Sequence, residues 1–128
     1  MIEIFMYFCS MITLVIGASE NQSRYSYKAV KQLTANGHKV YALGLKKGEI
    51  KGVEILTGFP QISEIDTVTL YVGPQNQPAY YNYVLALKPR RVIFNPGTEN
   101  EEFMKLLSEH GVFCETACTL VLLATQRF

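Results

Sequence analysis

Ile12-Thr13-Leu14-Val15-Ile16-Gly17-Ala18-Ser19-Glu20-Asn21-Gln22-Ser23-Arg24-Tyr25 is the stretch on which the fold turns. Its first five residues are apolar or β-branched and read as a buried strand, which Gly17 interrupts. A helix then runs from near Tyr25 to Asn36, with Tyr27, Val30, Leu33 and Thr34 on one face at helical spacing. Strand, glycine turn and helix in that order form the opening half of a βαβ unit. The first backbone N–H groups of such a helix have no partner within it, so the turn is a ready site for an anion.

Upstream, Ile4 to Ala18 is nearly all apolar, but Glu3 is the only charged residue ahead of it, where a secretory leader is basic. The run is also shorter than the roughly 20 residues a membrane helix needs. The simplest division takes Met1 to Ser10 as an extension, Met11 as the original start, and 11–128 as one domain. A chain of 128 residues is the size of a single domain.

Downstream, short β-branched runs alternate with helical patterns. Asn36-Gly37 stops the first helix, and Lys39 to Leu43 gives strand two. The Gly-rich stretch from Leu45 to Gly58 holds a small strand at Val53 to Ile55, and Ile62 to Ile65 reads as one helical turn. Thr67 to Val72 is a strand, followed by a helix that Pro78 starts, with Tyr81, Val84, Leu85 and Leu87 inward. Arg91 to Asn95 is another strand. Thr98-Glu99-Asn100-Glu101 has the form of a capping box for a helix through Phe103, Leu106 and Leu107. Val112 to Glu115 closes the series, and the apolar tail from Ala117 to Thr125 suits either a strand or two helical turns. The expected fold is Rossmann-like, a three-layer α/β/α sandwich around a mainly parallel sheet of five to six strands.

Hydrophobic residues at 48% and charged residues at 18% are globular values. A formal charge of +1 leaves no strong field to draw the chain onto nucleic acid or an anionic membrane, so any phosphate binding is local. Cys9, Cys114 and Cys118 lack the paired spacing of a zinc or thioredoxin-like site, which fits free thiols in a reducing cytoplasm. No metal cluster is evident.

In open α/β sheets ligands bind beyond the carboxyl ends of the strands. The first such loop keeps one glycine, Gly17, of the dinucleotide fingerprint, with Ser19 and Gln22 at the other two places; a plain tight turn fits it as well. No acid stands after strand two to take up ribose hydroxyls. Lys46 and Lys47 stand there instead, either as a solvated pair or as partners for a phosphorylated ribose, which NADP and coenzyme A both carry. Arg24 offers a two-pronged phosphate contact or is a surface arginine. The loops Gly73-Pro74-Gln75-Asn76 and Asn95-Pro96-Gly97-Thr98 provide short backbone and amide groups suited to an adenine edge or a pantetheine amide. His38 and His110 sit beside helix-ending glycines, away from this edge. Cys118 follows the last strand and faces the pocket without a histidine to activate it. No catalytic set emerges.

The loops together resemble those of the small CoA-binding domain proteins, stand-alone relatives of the nucleotide-binding domain of succinyl-CoA ligases. The resemblance is carried by Thr13-Leu14-Val15-Ile16-Gly17-Ala18-Ser19, Arg24-Tyr25-Ser26-Tyr27-Lys28-Ala29, Tyr71-Val72-Gly73-Pro74 and Phe94-Asn95-Pro96-Gly97-Thr98-Glu99, within a match from Met11 to Thr125. It implies that Gly17, Ala18 and Ser19, in the loop that also holds Asn21, contact a pyrophosphate with help from Arg24. It also implies that the Lys46 region and the Gly73 loop, with Pro74 and Asn76, border the adenosine end, and that Asn95, Pro96 and Gly97 close the pocket. The phosphorylated histidine of the ligases has no counterpart in this sequence. The expected function is non-catalytic binding of coenzyme A or an acyl-CoA, regulatory or as a carrier. The alternatives are an NADP-type oxidoreductase, a CoA-ligase-like subunit completed by another chain, or a fold that has lost its ligand. The expected partner is this nucleotide, with no nucleic acid or membrane, and a homodimer left open.

Overall fold

The computed structural model describes residues 11–128; the expected extension over 1–10, with Cys9, lies outside the described residues. A seven-stranded sheet runs through the molecule. Its strands are β1 (Ile12–Ala18), β2 (Lys39–Gly44), β3 (Gly48–Ile50), β4 (Val53–Leu56), β5 (Ile65–Leu70), β6 (Arg91–Phe94) and β7 (Phe113–Thr116). Their order across the sheet is β3-β4-β2-β1-β5-β6-β7, and every neighbouring pair is parallel except β3 with β4.

Among the described residues four α-helices cover the two faces: α1 (Tyr25–Ala35), α2 (Tyr81–Leu87), α3 (Glu101–Glu109) and α4 (Thr119–Ala124). Because successive side chains of a strand point to opposite faces, β1 feeds two cores. Leu14 and Ile16 join Val84 of α2 and Phe103 and Leu107 of α3 on one face, while Val15 joins Val30 and Leu33 of α1, with Leu123 of α4, on the other. A strand buried on both sides needs no polar alternation, which is why β1 reads as a continuous apolar run.

The chain leaves β1 for β2 on one side and later returns to place β5 on the other. The order therefore reverses between β1 and β5, and the loops that follow these strands diverge there and leave a crevice.

Four local expectations are corrected. The sheet has one strand more than expected, because Gly48–Ile50 pairs with β4 as a hairpin whose two-residue turn is Lys51 at φ 48° and Gly52 at φ 87°. Positive φ at both positions matches the twist of the flanking strands, yet Lys-Gly lacks the Asn or Asp that usually signals such a turn. Residues 62–64 form no helical turn, and Ile65 already belongs to β5. Thr98 does not cap α3. Its hydroxyl donates to the Asn95 carbonyl at 2.8 Å, and Asn100 is the cap, its Oδ1 accepting the Phe103 N–H at 3.2 Å. Pro78 opens a 3-10 turn, Pro78–Tyr80, and the α-helix begins only at Tyr81. The open reading of the tail resolves as helix α4.

Candidate functional site

Gly17 is an extra residue in β1: Ile16 faces Leu43 and Ala18 faces Gly44, so the pairing with β2 skips Gly17. Its φ of 98° lies in the left-handed region. A Cβ at Gly17 would stand 3.0 Å from the carbonyl carbon and oxygen of Tyr71, immediately after β5. The Tyr71 N–H in turn donates to the Ile16 carbonyl at 2.9 Å. The two strands that flank the crevice therefore meet backbone to backbone at its floor. On the other side, a Cβ at Gly44 would stand only 2.3 Å from the Ala18 carbonyl oxygen, so β2 also needs a glycine where it leaves the sheet.

Beyond the floor the chain folds into a compact polar turn. Ser19 Oγ accepts the Asn21 N–H at 3.1 Å, Asn21 Oδ1 accepts the Ser23 N–H at 3.0 Å, and the Asn21 carbonyl accepts the Arg24 N–H at 3.0 Å. Arg24, extended at the start of α1, makes no side-chain cap, and no acid occupies the first turn of the helix. The first N–H groups of α1 and the exposed Arg24 side chain thus present positive potential at the crevice.

The acid of this loop, Glu20, is turned aside. Its Oε2 accepts the Glu49 N–H of β3 at 3.0 Å, and its carboxylate packs over Gly48, where a Cβ would stand 2.4 Å from Glu20 Cδ. Lys46 and Lys47 lie exposed between β2 and β3, next to this contact in sequence.

The family described as "CoA binding domain" matches residues 12–124, covering the crevice and every strand of the sheet. The chain belongs to the CoA-binding domain family. A crystal structure of an uncharacterized protein superposes at TM-score 0.89 with 50% identity, over 92% of this chain and 98% of that one. A hypothetical protein from Pyrococcus horikoshii OT3 shares 26% identity at TM-score 0.78, over 93% of this chain and 84% of that one. A protein from Thermus thermophilus, at 22% identity and TM-score 0.79 over 98% and 97% of the two chains, shares the fold. Curated proteins give no match.

In this CoA-binding domain the third and fourth loops are built differently from expectation. Asn95 is buried, and its amide faces inward: Nδ2 donates to Thr69 Oγ1 at 2.6 Å and to the Leu70 carbonyl at 2.8 Å, while Oδ1 accepts the Thr119 N–H at 2.9 Å. It joins β5, β6 and α4 instead of presenting an amide to the crevice. Gln77, which sequence reasoning passed over, is fully buried and braces the neighbouring loop in the same way. Its Nε2 donates to the carbonyls of Val72 and Thr98 at 2.9 and 2.7 Å, and its Oε1 accepts from Asn100 Nδ2 at 2.9 Å. Gly73, Pro74 and Asn76 are carried on the loop that Gln77 braces, and the exposed Pro96 and Gly97 on the loop that Asn95 braces.

Tyr71, just ahead of the Gly73 loop, packs against the core on the α1 side of the sheet. Burial pushes its phenol up to about 12, with the Thr119 and Thr69 hydroxyls close enough to oppose the shift but not aligned for a hydrogen bond. Cys118 is half-buried at the start of α4. The two histidines are elsewhere: His110 ends α3, its Nδ1 2.9 Å from the Leu106 carbonyl, and the His38 ring meets that of Phe128 edge-on at 5.1 Å.

Glu20, Gly44 and Gln77 are the residues that sequence reasoning missed. Gly44 carried a signal, a glycine just after a strand. Glu20 and Gln77 carried none, because each acts on a segment distant in sequence.

Proposed function

We propose that this domain binds coenzyme A or an acyl-CoA through its diphosphate, without catalysing a reaction on it. The observation that carries the reading is the crevice floor, where Gly17 meets Tyr71 beside a helix start free of acids. A diphosphate fits there: Ala18 and Ser19 backbone, the first N–H groups of α1 and Arg24 supply donors, and Glu20 is drawn off onto β3. Lys46 and Lys47 supply charge for the phosphorylated ribose that coenzyme A carries and NAD lacks. The Gly73 to Asn76 and Asn95 to Gly97 loops, stiffened from within by Gln77 and Asn95, wall the far side for the adenosine and pantetheine portions. The chemistry of these loops and membership of the CoA-binding domain family support this reading.

Calorimetry with CoA, acetyl-CoA, NADP and NAD tests this reading. CoA is expected to bind more tightly than either nicotinamide cofactor, with Arg24→Ala weakening it about tenfold or more. Preference for NADP, or equal binding of Arg24→Ala and parent, overturns it.

A further inference from the structure

The two helical layers differ in charge. Among the described residues, α1 carries Lys28 and Lys31 and no acid, and α4 carries no charge at all. Between these helices runs a groove of about 680 Å³, whose floor is Leu120, Leu123 and Ala124 and whose rim includes both lysines. Lys28 lies 5.3 Å from the centre of the Tyr25 ring, and among the described residues neither lysine has a carboxylate within ion-pairing distance. Val121, 56% exposed, extends the apolar surface of α4.

On the opposite face of the sheet α3 carries Glu101, Glu102 and Glu109 against the single Lys105. Leu106 is half-buried, and it lies four residues after Glu102 and three before Glu109, so the three share one side of the helix. Glu102, Leu106 and Glu109 line one side of a second, smaller hollow of about 340 Å³, together with Lys105 and Tyr81, so acids outnumber the one cation there by two to one. Glu102 also accepts the Tyr81 hydroxyl at 2.9 Å, which holds its carboxylate near that ridge.

We propose that the basic groove between α1 and α4 docks the acidic α3 ridge of a second copy of this chain. Leu106 enters between Leu120 and Leu123, and Glu102 and Glu109 meet Lys28 and Lys31. Groove and ridge lie on opposite faces of one molecule, so the contact is head-to-tail and does not close by a two-fold axis. Each copy keeps a free groove at one end and a free ridge at the other. The inference stands apart from the ligand reading, since it uses neither the crevice nor its loops.

Analytical ultracentrifugation tests it. At about 50 mM salt the mass rises with concentration toward about 1 mM, and at about 500 mM salt it returns to one chain, with association weakened at least tenfold. K28E/K31E and E102K/E109K each remain single chains, and their equimolar mixture associates again in alternation, because each variant's groove then meets a ridge of opposite charge on the other. If E102K/E109K fails to fold, K28E/K31E added to the parent protein must shorten its assemblies by capping the groove end. A parent chain that stays single under these conditions, or a dimer that neither variant changes, overturns the proposal.

Discussion

Gly17 and Tyr71 touch at the crevice floor so closely that a Cβ at Gly17 would stand 3.0 Å from the Tyr71 carbonyl carbon and oxygen. The obstacle is backbone in a paired region of the sheet and cannot swing aside. With a φ of 98° as well, Gly17→Ala is expected to cost about 1–3 kcal/mol of stability and to weaken CoA binding. Urea denaturation checks the first effect and calorimetry the second. A variant as stable as its parent refutes the close contact.

Asn95 satisfies three buried partners at once. Asn95→Leu keeps the branched outline of the side chain but leaves the Leu70 carbonyl and the Thr119 N–H without their partner, at an expected cost of about 2–4 kcal/mol. Hydrogen exchange at the Thr119 amide is expected to speed up more than at amides of β1. Unchanged exchange there contradicts the bracing role.

Lys46 and Lys47 are exposed, so replacing both with glutamate should change stability by no more than about 0.5 kcal/mol. Under the proposed function, CoA affinity falls at least about tenfold, while dephospho-CoA, lacking the ribose phosphate, loses less. Equal losses for the two ligands place the lysines away from that phosphate.

Two groups make stability fall in acid. Burial, then the Arg91 charge, lowers the His38 pKa from its ordinary 6.5, so the unfolded chain takes up a proton that the folded chain refuses. Its effect is absent above 6.5 and grows as pH falls below that value. For Asp66 burial acts upward, but the Arg90 guanidinium, hydrogen-bonded at 2.9 Å, and the Thr67 hydroxyl bring the net pKa below 3.8. Its stabilisation is present above 3.8 and disappears as pH falls through the lower folded value. His38→Phe should flatten the upper part of the acid profile, and Asp66→Asn the lower. A pH scan of urea midpoints resolves the two.

The strands and most helices were legible because burial on both faces writes an unbroken apolar run, and Gly37 and Gly111 mark helix ends. What failed was non-local or depended on turn geometry. Thr98 and Glu101 matched a capping box in spacing, but the Asn95 carbonyl claimed the Thr98 hydroxyl and left the cap to Asn100. The amide of Asn95 looked available for a ligand because nothing nearby in sequence shows that Thr69, Leu70 and Thr119 take it up. Glu20 likewise owes its orientation to a backbone N–H twenty-nine residues away.

The last ten residues return across the sheet alongside one of its strands. At one end the Thr119 N–H is held by Asn95, just after β6, and at the other Arg91, the first residue of β6, lies 4.6 Å from the Phe128 ring centre and donates to the Phe128 carbonyl at 3.4 Å. The tail is thus a strut pinned to both ends of a single strand. The buried Arg91 at the remote rim thus owes part of its cover to Phe128, so removing that ring would open a charged group at the foot of β6 to solvent.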